Sequence, residues 1–266
     1  VMMLMLIISI SRNKYIFPIL FSLFFSLSAS YHFRAANEYR NEWEDLQVFF
    51  QQFSWRVPSI EEGTLFVTDE LSLNYYSDNS LTAPLNWIYA EEIRGNSLPY
   101  LINFSKARLG SSLPSLEPGN RITHNYRTFT FKGSTDQMVI FYHEPPGCVH
   151  IADPDLDAYN PLIPGEIRAA VPNSNPDLIN YEPIRTPPFF LQAEPTDTWC
   201  YYYEKASLEA QFENWDEVAR LGDIAFNLTD HPNDASERIP FIKGYAMTGR
   251  FNDAKQLTCL LYTSDA

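Results

Sequence analysis

Residues 15–30 read YIFPILFSLFFSLSAS, sixteen positions without a charged side chain. A helix needs roughly 20 apolar residues to cross the hydrocarbon core of a bilayer, and extending the run to Phe33 adds only His32 as a polar interruption. A segment of this kind either anchors the chain or is removed. Removal is the secretory-leader reading, with a basic start, an apolar middle and the small-residue site Ser28-Ala29-Ser30. Residues 1–10, however, are as apolar as those after Arg12. That symmetry favours the end of a preceding helix over residues 1–10, a tight loop over residues 11–14, and a membrane span after it, in a chain that opens inside a longer polytopic protein. Arg12 and Lys14 assign the loop to the cytoplasm and the remainder to the outside, although Arg34 and Arg40 on the far side weaken the asymmetry.

The remainder is long enough for one large or two small folded units, the whole chain having 266 residues. A hydrophobic content of 45%, with 16 Tyr, 19 Phe and 5 Trp, supplies a real core and excludes a wholly disordered chain. The formal net charge of −14 excludes a nucleic-acid binder that relies on a basic surface. Three cysteines without close spacing exclude a zinc ribbon or a disulfide-dense scaffold.

Beyond the apolar run, Ala36, Tyr39, Trp43, Leu46, Phe50 and Phe53 recur at steps of three and four, one stripe of an amphipathic helix that Val57-Pro58 stops. Residues 64–68 and 100–104 are of strand length. Residues 71–90 read as partly helical, broken by Asp78-Asn79-Ser80 and Pro84. Residues 126–131 alternate as a half-buried strand, and residues 138–142 and 148–152 form a hairpin across Glu144-Pro145-Pro146-Gly147. The expected fold is a membrane helix plus an α/β sandwich with a small mixed sheet, its late strands antiparallel. Residues 154–197 hold so many prolines that they are expected to wrap the domain surface as a linker, with two helical turns near Gly165 and a packed run at 184–191.

From Thr198 onward the pattern is helical, over residues 199–214, 216–228, 235–248 and 252–258. A shift of 36 places Glu213 on Gly249, Trp215 on Phe251, Val218 on Ala254 and Ala210 on Ala246. The pattern Tyr245-x-x-x-Gly249-x-Phe251-x-x-Ala254 resembles a tetratricopeptide repeat, which implies helical hairpins that bury a face by stacking. The tail Cys259-Leu260-Leu261-Tyr262-Thr263-Ser264-Asp265-Ala266 resembles the conceptual translation of a sequencing-library adapter, so residues 259–266 are expected to be foreign and the repeats to run on past Thr258. The domain reading is therefore membrane segments over 1–33, amphipathic helix and α/β domain over 34–153, linker over 154–197, helical repeats over 198–258 and tail over 259–266.

Chemistry is thinly marked. Asp69 and Glu70 follow the first strand, where open α/β sheets place ligands, but no glycine-rich phosphate loop follows them. The block holding Tyr75, Tyr76, Asp78, Asn79 and Trp87 either lines a ligand groove for sugar or peptide or is a core helix with its cap. His143, His150 and Asp153 are the weak metal candidates. The series Asp153, Asp155, Asp157 opens like a calcium loop, yet Ala158 stands where glycine is needed and Pro164 where the bidentate glutamate belongs. Cys148 and Cys200 form a disulfide or are two buried thiols. No catalytic residue is identifiable, and no cofactor is expected.

This order of parts resembles the C-terminal portion of uncharacterised bacterial polytopic membrane proteins, some of them similar to multi-span glycosyltransferases that use lipid-linked sugars. The resemblance implies a bacterial inner-membrane location with the soluble part extracytoplasmic. It carries no catalytic residue onto this chain, because those enzymes keep theirs in an early loop. Two functions remain. One is a membrane-anchored, non-catalytic module that binds a protein partner through its helical repeats; the other is the accessory domain of a membrane glycosyltransferase with an upstream active site.

Overall fold

A computed structural model of the chain describes residues 5, 15–90, 93, 95–160, 163, 165–183, 191 and 195–263. The expected preceding helix and loop, apart from Met5, lie outside the described residues, as do residues 184–190 of the packed run and 264–266 of the tail. The chain divides into two compact units, residues 1–46 and 47–266.

The membrane helix and the amphipathic helix are one element, α1 (Ile16–Arg56), the one described helix long and apolar enough to cross a membrane. Its apolar part is uncovered, with Phe17, Ile19, Phe21, Phe24 and Phe25 all exposed. The expected stripe is not continuous. Tyr39 and Trp43 are 59% and 44% exposed, whereas within the second unit Phe49, Phe50 and Phe53 are buried and carry Gln52 and Arg56 inward with them. Pro58 has no N–H to continue the ladder, so the helix ends with the Val57 amide donating to the Phe53 carbonyl at 2.8 Å.

The second unit is built on a four-stranded mixed sheet of order β4-β2-β7-β8. After β1 (Ser59–Ile60), strand β2 (Leu65–Thr68) runs at its centre. Next come α2 (Asp78–Tyr89), β3 (Ser97–Leu98), β4 (Leu101–Phe104) and the one-turn α3 (Ser105–Arg108). A hairpin of β5 (Arg121–Tyr126) and β6 (Phe129–Ser134) precedes β7 (Met138–Tyr142) and β8 (His150–Ile151). β4 and β7 flank β2 in parallel, and β8 pairs antiparallel with β7. A parallel centre is buried on both faces, so its strands are apolar at successive positions rather than at alternate ones. Leu65, Val67, Met138 and Ile140 enter one core with Leu98, Ile122 and Phe131. Phe66 and Phe141 face the other way, meeting the Phe53 ring at 4.9 and 5.6 Å between centroids. A mixed α/β unit with a small mixed sheet is thus present, together with a second sheet, β3-β6-β5.

Three local expectations are corrected. Residues 126–131 are not one strand: Tyr126 ends β5, residues 127–128 make the hairpin turn with Arg127 at φ 54°, and Phe129 to Phe131 begin β6. Asp78-Asn79-Ser80 does not break a helix but starts one, because Ser77 caps it: its Oγ accepts from the Ser80 amide at 3.3 Å, and its amide donates to Ser80 Oγ at 2.8 Å. Pro84 lies inside that helix. The proline-rich stretch does more than wrap. Helix α4 (Gly165–Arg168) and strand β9 (Ile179–Asn180) belong to it, β9 pairs with β1, and Ile163, Ile167 and Val171 are buried in the sheet core.

Helix α2 also closes the outer edge of β4. Asp78, Thr82 and Asn86, four residues apart and so on one face, accept from the amides of Phe104, Ile102 and Tyr100 at 3.4, 3.1 and 3.1 Å. An edge strand otherwise offers such groups to another chain.

The C-terminal part holds α5 (Trp199–Gln211), α6 (Trp215–Ala225), α7 (Ile239–Met247) and α8 (Phe251–Thr263). Its first five tail residues, 259–263, continue α8. The α5–α6 and α7–α8 turns share one geometry. Glu213 and Gly249, 36 positions apart, are both left-handed, at φ 58° and 79°. The Asn214 and Arg250 amides reach back to Glu209 and Tyr245 at 2.9 and 2.7 Å, and those of Glu213 and Gly249 to Ala210 and Ala246 at 3.2 and 3.1 Å, the two bonds of a Schellman turn. A disulfide between Cys148 and Cys200, with Cα atoms 5.3 Å apart, joins the β7–β8 hairpin to α5.

Candidate binding cleft

Where the β8 end meets the C-terminal helices, a cleft of about 420 Å³ is lined from four directions. Arg56 comes from the end of α1, His150 to Asp157 from β8 and its following loop, Ser174 to Asp177 from the proline-rich stretch, and Tyr203, Ser207, Gln211, Trp215 and Lys243 from the helices. The volume lies in the range of small-ligand sites.

Its floor is polar and poorly satisfied. Arg56 is 6% exposed, and its Nη2 donates to Gln211 Oε1 at 2.8 Å while Nη1 has no partner. Gln211 is held in turn by donating from Nε2 to the Pro176 carbonyl at 2.8 Å. His150 stacks on Tyr142, with 4.6 Å between centroids, and its Nδ1 pairs with the Tyr203 hydroxyl at 2.8 Å, leaving Nε2 without a partner. Ser207 Oγ is likewise unpartnered. Behind this floor lies Glu204, fully buried, neither of whose carboxyl oxygens makes a hydrogen bond; the nearby Val149 amide donates to Gln52 Oε1 at 3.0 Å.

Burial sets the charge states here, because desolvation disfavours the ionised form of every group. It lowers the Arg56 guanidinium, against the attraction of Glu204. It holds the Glu204 carboxyl well above the usual range, with Arg56 pulling the other way. It takes His150 down to about 4, so the ring is neutral at pH 7. Glu237, beside the disulfide, is raised by burial to about 7 although its carboxylate accepts from the Cys148 and Asn233 amides at 2.9 and 3.1 Å. The rim is acidic and wet: Asp155, Asp177 and Glu213 are exposed.

The residues singled out from sequence are placed differently from one another. His150 and Asp153 line the cleft. His143 does not; it is buried against Phe49 at 5.6 Å between ring centroids. Asp153 Oδ1 accepts from the amides of Asp155 and Leu156 at 2.8 and 3.0 Å, which spends it on its own loop. Among the described residues, no three His, Cys, Asp or Glu side chains converge to hold a metal ion.

In the aromatic and amide block, Asp78, Asn79 and Trp87 lie on the capped helix α2, and Tyr75 and Tyr76 precede its Ser77 cap. Asp78 is buried and binds the Arg108 guanidinium through two hydrogen bonds, at 2.5 and 2.7 Å. Asn79 Oδ1 pairs with His124 Nε2 at 2.6 Å, while Tyr75 and Trp87 are 48% and 52% exposed. Asp69 and Glu70, at the carboxyl end of β2, are bound by Lys106 Nζ at 3.0 and 3.2 Å, with Ser105 Oγ donating to Asp69 at 3.2 Å. A shallow depression of about 600 Å³ opens beside Ser105 and Lys106.

Sequence reasoning missed Arg56, Glu204, Ser207 and Gln211. For Arg56 a signal existed: Gln52 and Arg56 follow Phe49 and Phe53 at helical spacing, so polar groups ride on the apolar face. Glu204 has none, since an acid beside tyrosines on a helix reads as solvated. Comparisons with protein-family models, with curated proteins and with solved structures find no match to this chain.

Proposed function

We propose that this chain is a membrane-anchored, extracytoplasmic and non-catalytic module that docks a protein partner on tetratricopeptide-like helical hairpins. One observation carries the reading: the α5–α6 and α7–α8 turns reuse the same left-handed position and the same two backbone bonds at a spacing of 36 residues. A turn that needs a left-handed residue costs roughly 1–2 kcal/mol where glycine is absent. Its recurrence at Glu213 therefore supports a repeated unit over a coincidence of two hairpins. The Cys148–Cys200 pairing supports an oxidising compartment, and α1 supports anchoring.

The helices expose Met247 and Phe251, 59% and 69% accessible, at the second turn. The test is affinity purification of the full chain from its own membranes, beside Met247→Glu and Phe251→Asp variants. A stoichiometric partner that either substitution releases is the expected result. If the same proteins are retained by wild type and both variants, or none by wild type, the reading fails.

A further inference from the structure

The cleft combines two features that point to different parts of one ligand. Its floor holds an unsatisfied donor, Arg56 Nη1, on a side chain 6% exposed, together with Ser207 Oγ and His150 Nε2, also without partners. These atoms lie below the cleft surface, so a ligand meets them only by pressing into the floor. Its rim holds exposed carboxylates at Asp155, Asp177 and Glu213, against one exposed cation, Lys243, which rests 5.0 Å from the Trp215 ring centroid. An anion that satisfied Arg56 would sit among the rim carboxylates of like charge. A simple cation that satisfied the rim would oppose Arg56. A neutral polyol would meet the floor and leave the rim unpaired.

We infer that the cleft receives an extended peptide segment bearing lysine or arginine, with a main-chain carbonyl on Arg56 and the basic side chains on Asp155, Asp177 and Glu213. Extended peptides suit such a site because acceptor carbonyls alternate with side chains along the strand. This deepens the interaction-module reading by naming the partner's chemistry, and it rests on that reading for its source. Neither Met247 nor Phe251 lines the cleft, although Lys243 stands one turn before Met247 on α7.

The experiment uses the purified full chain in detergent at 150 mM salt and three fluorescein-labelled nonapeptides, (Gly-Lys-Ala)3, (Gly-Ser-Ala)3 and (Gly-Glu-Ala)3, read by anisotropy. The lysine peptide is expected to bind at least about tenfold more tightly than the other two. Asp155→Asn, Asp177→Asn and Glu213→Gln combined are expected to remove that preference. Ser207→Leu, which obstructs the floor and leaves every rim charge in place, is expected to remove it too.

Equal binding of the three peptides overturns the inference, as does undiminished lysine-peptide binding by Ser207→Leu, which would reveal adsorption to an acidic surface. Competition by a neutral oligosaccharide such as maltotriose, with no lysine preference, overturns it in favour of a sugar site. A partner that is released by Phe251→Asp while no peptide binds sinks the cleft inference alone and leaves the module reading standing.

Discussion

Thr82 shows how much one hydroxyl does here. Its Oγ1 donates to the Asp78 carbonyl at 2.9 Å and accepts the Ile102 amide at 3.1 Å, in a position that is 1% exposed. Valine has the same shape without the hydroxyl, so Thr82→Val leaves a buried amide unpaired. The expected loss is about 1–3 kcal/mol in urea unfolding, with the fold intact by circular dichroism. His143 governs a different axis. Burial takes its pKa from 6.5 to about 4, so between those values the unfolded chain binds the proton and the folded chain does not. Stability from this group is then present above pH 6.5 and falls as the pH drops toward 4. Going from pH 7 to pH 5, His143→Gln is expected to lose about 2 kcal/mol less than wild type. Parallel losses in the two proteins would show that the imidazole titrates normally.

At the scale of elements, what was legible in the sequence is what short-range chemistry dictates. Leu65-Phe66-Val67 reads as a buried strand, Pro145-Pro146-Gly147 as a turn and Val57-Pro58 as a helix end, and the structure has each of them so. The 36-residue shift that aligns Glu213 with Gly249 in the sequence also aligns their left-handed turns. Errors arose where a local signal had two meanings: Asp78-Asn79-Ser80 serves a helix start as well as a loop, and Tyr126 to Phe131 alternates because it folds back on itself. The cleft was mostly illegible, since Arg56, His150 and Ser207 lie far apart in the chain and meet only through packing. One close contact between helices gives a sharp test. A Cβ on Gly244 would sit 2.5 Å from Val218 Cγ1, and Val218 is fully buried. Overpacking costs about 1–3 kcal/mol, set against about 1 kcal/mol gained in helix propensity. Gly244→Ala is therefore expected to lower stability by about 1 kcal/mol in thermal or urea unfolding. Adding Val218→Ala should cost less than the two changes summed, because each relieves the other.

For the whole molecule, the disulfide is the longest covalent short cut, its cysteines 52 positions apart. Closing a loop of that size removes chain entropy from the unfolded state worth about 4 kcal/mol. Cys148→Ser/Cys200→Ser is expected to unfold at lower urea by about that amount, and reductant should have no further effect on the variant. The same bond matters in mechanical terms. On the function proposed above, the chain would be held by a lipid-embedded helix at one end and a partner at the other, as a tether under load. The 52 residue steps from Cys148 to Cys200, pulled straight at about 3.4 Å each, amount to roughly 180 Å of contour length. While the sulfurs are joined, tension passes across them and that length stays locked away. Once reduced, the tether can pay it out, turning a short stiff link into a long compliant one.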